Sequence, residues 1–373
     1  MLKGKKMLFL LSMVLLLVVA VVGCGGTEKS NESKQSAEPK VEQKAEPKQE
    51  VVLSAGGASF PYPLYSKWID VYTKENPNIK LDYQSIGSGG GIKGILAKTF
   101  DFAGSDAPMK DEELAKASGE ILHIPTVMGA VVVTYKIPGV TESIKLTSDT
   151  VADIFLGKIT KWNDSRLTEL NPDVKLPAKD IVVVHRSDGS GTTNTFTDYL
   201  AKVSSEWKEK VGKGKSVEWS TGLGAKGNEG VAGQISQTEG SIGYVELAYA
   251  VENKLPYAKL KNKAGYFVEP SLDTTSEAAA GALANMPEDM RVSITDSPGE
   301  NAWPIATFTY LLIYKNQDDP VKGKATLDFA WWAIHEGESY AKDLLYAPIP
   351  ANLVEKLEGK LKSVTHNGEP ILK

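Results

Sequence analysis

From Val51 onward, β-branched runs alternate with stretches of helical periodicity, and that alternation most constrains the fold. Residues 51–53 are apolar, and Leu64, Trp68, Val71 and Tyr72 then share one helical face that Asn76-Pro77 stops. Ile79, Leu81 and Tyr83 alternate as a strand and run into Gly87-Ser88-Gly89-Gly90-Gly91. A helical stretch over 92–98, an apolar segment over 100–103 and the turn Gly104-Ser105-Asp106-Ala107-Pro108 follow. Residues 131–133 and 181–184 are continuous β-branched runs of the kind buried on both faces of a sheet. Residues 309–314 read as another strand, and 327–334 as an apolar helix carrying Trp331 and Trp332. The pattern predicts α/β layers built on largely parallel sheets. With 373 residues, 42% hydrophobic and 24% charged, the chain suits two globular domains and excludes wholesale disorder or a polytopic membrane protein. Its net charge of −5 argues against non-specific binding to nucleic acid, which needs a basic surface.

The first fifty residues are of another kind. Lys3, Lys5 and Lys6 precede an uncharged run of 16 residues, Met7 to Val22, which ends at Gly23-Cys24-Gly25. This is the length of a signal h-region and short of a comfortable bilayer span. The segment resembles a bacterial lipoprotein signal over 1–23, with Cys24 the acylated mature N-terminus, although Val stands at two positions usually held by Leu and a small residue. An uncleaved signal anchor is the alternative. Cys24 is the single cysteine, so neither an internal disulfide nor a Cys-rich zinc site is available. Residues 27–50 are mostly Glu, Lys, Ser, Gln and Pro, with Ala-Glu-Pro-Lys at 37–40 and again at 45–48. Such a segment cannot bury enough apolar surface to offset its ordering entropy, so 24–50 is expected to be a disordered tether.

Three junctions between apparent strands and helices share one chemistry: Ser59-Phe60, Gly87-Ser88-Gly89 and Asp188-Gly189-Ser190-Gly191-Thr192. Small residues let backbone N–H groups approach a ligand, hydroxyls add donors, and a helix N-terminus adds partial positive charge. Singly, each could be an ordinary cap or turn. Together, with Arg186 and Asp106 in similar positions, they predict an anion site.

Other motifs carry less. Two G-x-G-x-x-G matches, at 89–94 and 222–227, are weak in a chain with 34 glycines, and no acidic residue follows at the spacing a dinucleotide fold needs. Asp188 breaks the nucleophile-elbow pattern around Ser190. His123, His185, His335 and His366 form no metal-binding spacing, so no metal or other cofactor is expected. His185 could add positive potential beside Arg186.

Several motifs occur together and in order: residues 55–61 (AGGASFP), 83–88 (YQSIGS), 101–108 (DFAGSDAP) and 186–192 (RSDGSGT). Residues 154–162 (IFLGKITKW), 222–230 (GLGAKGNEG) and 302–305 (AWPI) belong to the same set. From Val51 to the C-terminus the chain closely resembles the phosphate-binding receptors of bacterial phosphate ABC importers. That resemblance implies an α/β, two-lobed periplasmic-binding-protein fold. Each lobe would be a mixed, mostly parallel sheet flanked by helices, with the ligand in the cleft between them. Residues 51–128 with 305–373 would form one lobe and 129–304 the other. It further implies a non-catalytic receptor, monomeric for binding, that passes inorganic phosphate to a membrane permease and its ATPase subunits. Cys24 would hold it to a lipid bilayer on the extracytoplasmic side.

Carried over by motif, Ser59 stands where the family usually has Thr, and the Phe60 N–H would donate beside it. Ser88, Asp106, Arg186, Ser190, Gly191 and Thr192 would complete the phosphate site, while Asp188 would hold Arg186 in place. Gly89 stands where some members carry a second Ser. Arg186 offers planar, charge-assisted bonds to an oxyanion. Asp106 can accept the proton that phosphate still carries at neutral pH, which sulfate lacks. Receptors for sulfate or molybdate, and a surface phosphoester hydrolase using Ser190, are the alternatives. Losing the three signal lysines leaves 39 basic against 47 acidic residues, so an anion would be recognised locally rather than by bulk attraction.

Overall fold

The computed structural model describes residues 49–372, so the expectations for the signal segment, for Cys24 and for the tether as far as 48 lie outside the described residues. The strands begin with β1 (Val51–Gly57), β2 (Ile79–Ser85), β3 (Phe102–Ser105) and the long β4 (Ile121–Lys136). They continue with β5 (Lys145–Leu146), β6 (Val182–Arg186), β7 (Leu223–Ala225) and β8 (Ser241–Glu246). Next come β9 (Lys259–Lys261), β10 (Phe267–Val268), β11 (Ala306–Tyr314) and β12 (Ala347–Pro348), and a small terminal hairpin of β13 (Thr365–His366) and β14 (Glu369–Pro370).

A nine-stranded sheet runs in the order β2-β1-β3-β11-β4-β8-β6-β7, with β12 also paired to β4. Its outer parts are parallel: β1 with β2 and β3, and β6 with β7 and β8. The centre is antiparallel, because β11 pairs with β3 and β4, and β4 with β8. The expectation of largely parallel sheets therefore holds for the flanks and not for the middle. β4 makes the join. Its residues as far as Ala130 pair with β11, and from Val131 it pairs with β8. Sixteen residues, all but the last buried, are needed to span both halves.

The segment leading into β11 is pinned at the same point. Ile305 accepts from the Val131 N–H at 2.8 Å, and the Trp303 indole donates to the Val131 carbonyl at 3.0 Å. Trp162 similarly donates from its buried indole to Gly240. The tryptophan motifs at 154–162 and 302–305 thus hold the core.

The first helix, Tyr62–Glu75, ends at Asn76 as predicted and buries Leu64, Trp68 and Tyr72 of the expected face together with Tyr65, while Val71 is only partly buried. Two boundaries differ from expectation. The helix predicted over 92–98 spans Ser88–Leu96 and takes in three consecutive glycines. Glycine normally weakens a helix by about 1 kcal/mol, but here it permits close packing. A Cβ on Gly91 would lie 2.7 Å from the Gly57 Cα of β1. The apolar helix predicted from residue 327 begins at Pro320, because Asp319 caps it by accepting from the Val321 and Lys322 N–H groups. Among the described residues, no helix is long and apolar enough to cross a membrane.

Candidate functional site

The parallel strands of each half end facing the other half, and the loops after those strands converge. In open α/β sheets such carboxyl-end crevices are where ligands sit. From the first half come the loop after β1 (Ser59, Phe60), the helix start after β2 (Ser88) and the turn after β3 (Asp106). From the second come the end of β6 with its following loop (Arg186, Asp188, Ser190, Gly191, Thr192) and the start of the helix Gly227–Gln237. Ser59, Phe60, Ser88, Asp106, Arg186, Ser190 and Thr192 are all buried.

The second half carries the cation. The Arg186 guanidinium donates from Nε to Asp188 Oδ1 at 2.7 Å and from Nη2 to Oδ2 at 2.6 Å, a two-pronged pair that fixes its plane. Its Nη1 donates to Thr192 Oγ1 at 3.3 Å. Burial would raise the Asp188 carboxyl, but the hydrogen bonds and charge of Arg186 outweigh it and hold it below the ordinary carboxylate range. Ser190 caps the helix Gly191–Val203, its Oγ accepting from the Thr193 N–H at 3.0 Å. The first N–H groups of an α-helix have no partner within it, and Gly191, which opens this one, lies against Ser88 and Asp106.

The first half carries the carboxylate. Asp106 accepts from Thr309 Oγ1 at 2.9 Å through Oδ1 and from Ser88 Oγ at 3.3 Å through Oδ2. Its own backbone N–H donates to the Ser88 hydroxyl at 3.2 Å. Burial pushes the carboxyl up to about 7, against the lowering by Thr309, the Arg186 charge and Ser88. It therefore titrates near neutral pH. A cavity of about 200 Å³ adjoins it, lined in part by Asn194, Thr195, Lys213 and Arg291.

The two halves touch across the site. A Cβ on Gly191 would collide with Ser88 Oγ and lie 2.6 Å from Asp106 Oδ2, so only glycine fits between these walls. Gly89 N–H donates to the Gly189 carbonyl at 2.7 Å, and Tyr249 donates to the Ser59 carbonyl at 2.6 Å. At the rim, Lys215 pairs with Glu113 at 2.8 Å, and Arg291 pairs with Asp111 at 2.7 Å while also donating to the Met109 carbonyl.

His185 lies on β6 beside Arg186. It stacks on Trp219 at 4.7 Å between ring centroids, and burial lowers its basicity. Among the described residues no group of acidic, histidine or cysteine side chains could hold a metal ion.

Sequence reasoning did not single out three participants. Thr309 and Tyr346 come from late in the chain, Tyr346 donating to the Phe60 carbonyl at 2.6 Å. Asn228 is fully buried and contacts both halves, with Nδ2 donating to Ser59 Oγ at 2.9 Å and to Thr192 Oγ1 at 3.1 Å. The available signal was Gly227-Asn228, a turn opening a helix inside a motif already noted.

Comparisons with known proteins point the same way. A family model described as a PBP superfamily domain matches residues 35–336. The chain is 48% identical over 312 residues to a phosphate-binding protein PstS of Pasteurella multocida, covering 83% of this chain and 90% of that one. It is 46% identical over 343 residues to a PstS of Xylella fastidiosa, covering 91% and 93%. Among solved structures, it resembles the high-affinity periplasmic phosphate-binding protein PfluDING, determined with phosphate bound. The TM-score is 0.63 at 20% identity, covering 83% of this chain and 92% of that one, and the likeness shows the two-lobed fold.

Proposed function

The chain belongs to the PBP superfamily and within it to the PstS phosphate-binding proteins, and from that premise we propose that it is an extracytoplasmic receptor for inorganic phosphate. It would hand its ligand to a membrane permease driven by ATPase subunits. It would act as a monomer and do no chemistry on the ligand. Residues 51–128 with 305–373 would form one lobe and 129–304 the other; β4 exchanges β11 for β8 a little further on, at Val131. Cys24, once acylated, would tether the body to the membrane.

Ser59, Phe60, Ser88, Asp106, Arg186, Ser190, Gly191 and Thr192 would surround the anion. The single observation that carries this reading is the meeting of one paired arginine, a helix N-terminus and one buried carboxyl between two walls that touch. The donors recognise an oxyanion. The carboxyl makes the recognition selective, since an ionised Asp106 accepts a proton that phosphate carries and leaves sulfate facing an uncompensated charge.

Calorimetry on the mature chain, freed of phosphate by unfolding and refolding, tests the reading. One phosphate should bind per chain, and sulfate should bind far more weakly at pH 8. Equal binding of both anions, or of neither, would overturn it.

A further inference from the structure

Neutral hydroxyls can serve an anion only if their protons point at it. A serine or threonine hydroxyl has one proton and two lone pairs, so whatever fills the lone pairs decides where the proton goes. At this site the filling is explicit. Ser59 Oγ accepts from the Asn228 backbone N–H at 3.1 Å and from Asn228 Nδ2 at 2.9 Å. Thr192 Oγ1 accepts from Asn228 Nδ2 at 3.1 Å and from Arg186 Nη1 at 3.3 Å. Each hydroxyl thus has two donors directed at it, and its own proton is left to point elsewhere.

The amide cannot be turned round. Asn228 Oδ1 accepts from the Glu246 backbone N–H at 2.9 Å, at the end of β8, and an N–H can only donate. The oxygen must face β8 and the NH2 must face the hydroxyls. Ser59 follows β1 in the first half and Asn228 lies in the second, so the alignment of Ser59 exists only when the halves meet, whereas that of Thr192 is made within the second half.

We propose that Asn228 is a positioning residue that sets Ser59 and Thr192 as obligate donors to the bound oxyanion and ties the setting of Ser59 to the meeting of the two lobes. The inference rests on the phosphate-receptor reading above. It divides the hydroxyls into two classes. Ser59 and Thr192 are forced to donate to the ligand, whereas Ser88 and Thr309 give their protons to Asp106 and keep it an acceptor. Reversing Asn228 would set its oxygen competing with the ligand for the protons of the first class.

The test is calorimetry with inorganic phosphate at pH 8 on the full mature chain and its variants. Asn228→Asp replaces only the NH2 group, and its carboxylate would draw both hydroxyl protons away from the ligand. It should weaken phosphate about a hundredfold, through lost donors and added repulsion. Asn228→Ala, which frees the hydroxyls without reversing them, should weaken it about tenfold. In a Ser59→Ala, Thr192→Val background, adding Asn228→Ala should cost less than about twofold more, because nothing remains to orient. A purely structural role would instead give the full tenfold loss in that background and overturn the proposal. So would wild-type affinity in both single variants with unfolding midpoints unchanged. Failure of the unaltered chain to bind phosphate is a different result, which overturns the receptor reading itself and this inference with it.

Discussion

The two walls of the site are built on the same plan and do opposite things. Each consists of loops at the carboxyl ends of parallel strands, supplying hydroxyls and helix-start N–H groups. The second wall adds a guanidinium held flat by Asp188. The first adds a carboxyl with no cation of its own wall beside it, and burial drives its pKa to about 7. Attraction and discrimination are thereby separated. On the proposed reading, one wall would hold almost any tetrahedral oxyanion, and the other would ask whether the anion carries a proton. An acidic chain can then capture an anion because the recognising charges are local and buried, where solvent screens them little.

The largest effect should come from the attracting wall. Arg186→Ala removes the cation and leaves the half-buried Asp188 without its partner. Phosphate affinity should fall by about a thousandfold or more by calorimetry, in line with the roughly 3–5 kcal/mol cost of breaking a buried pair. A change below tenfold would show that the helix N-terminus and hydroxyls carry recognition on their own.

Next is the discriminating wall, where function and stability should oppose one another. Folded Asp106 keeps its proton to about pH 7, whereas an unfolded aspartate loses it near the ordinary value of 3.8. The folded state binds the extra proton in that window, so stability contributed by the neutral carboxyl is present below about pH 4 and lost as pH rises through 7. The loss is on the order of 4 kcal/mol, an upper figure for a group so hydrogen-bonded. Asp106→Asn should therefore raise the unfolding midpoint of phosphate-free protein at pH 8 and leave it nearly unchanged at pH 4. No gain at pH 8 would mean the carboxyl is not strained there. Unaltered protein should also bind sulfate more tightly as pH falls from 8 to 6, because a protonated Asp106 becomes a donor.

A smaller effect belongs to the gap between the walls. Gly191→Ala places a methyl against Ser88 and Asp106 and should hold the halves apart. About a tenfold loss of phosphate affinity is expected, from strain of about 1–2 kcal/mol, with stability of the phosphate-free form little changed. Smallest is the rim. Lys215→Ala removes a pair with Glu113 that is only partly buried, and should weaken binding by no more than about fivefold, an effect reduced further at high salt.

Much of this contrast was legible in the sequence, for local reasons. Ser-Gly loops between strand and helix patterns are read within ten residues, and Arg186, Asp188 and Ser190 sit in a single such loop. What stayed hidden was set at a distance. Thr309 reaches Asp106 across 203 positions and Asn228 reaches Ser59 across 169, and in sequence Thr309 is one residue of an apolar strand. The join between the halves was expected only through the family resemblance and not from the residue pattern. A run buried on both faces looks the same whether its neighbours are parallel or antiparallel, so β4 gave no sign that it changes partner at Val131. The helix Ser88–Leu96 was misplaced because three glycines read as a loop until their packing against β1 is seen.

The separation of attraction from discrimination is tested most directly by the ratio of phosphate to sulfate affinity at pH 8 in unaltered protein and in Asp106→Asn. The ratio should be at least a thousandfold in the unaltered chain. It should collapse to within about tenfold in the variant, chiefly because sulfate binds better, given how strongly a required buried hydrogen bond discriminates. A variant that loses affinity for both anions equally and keeps the ratio would contradict the account.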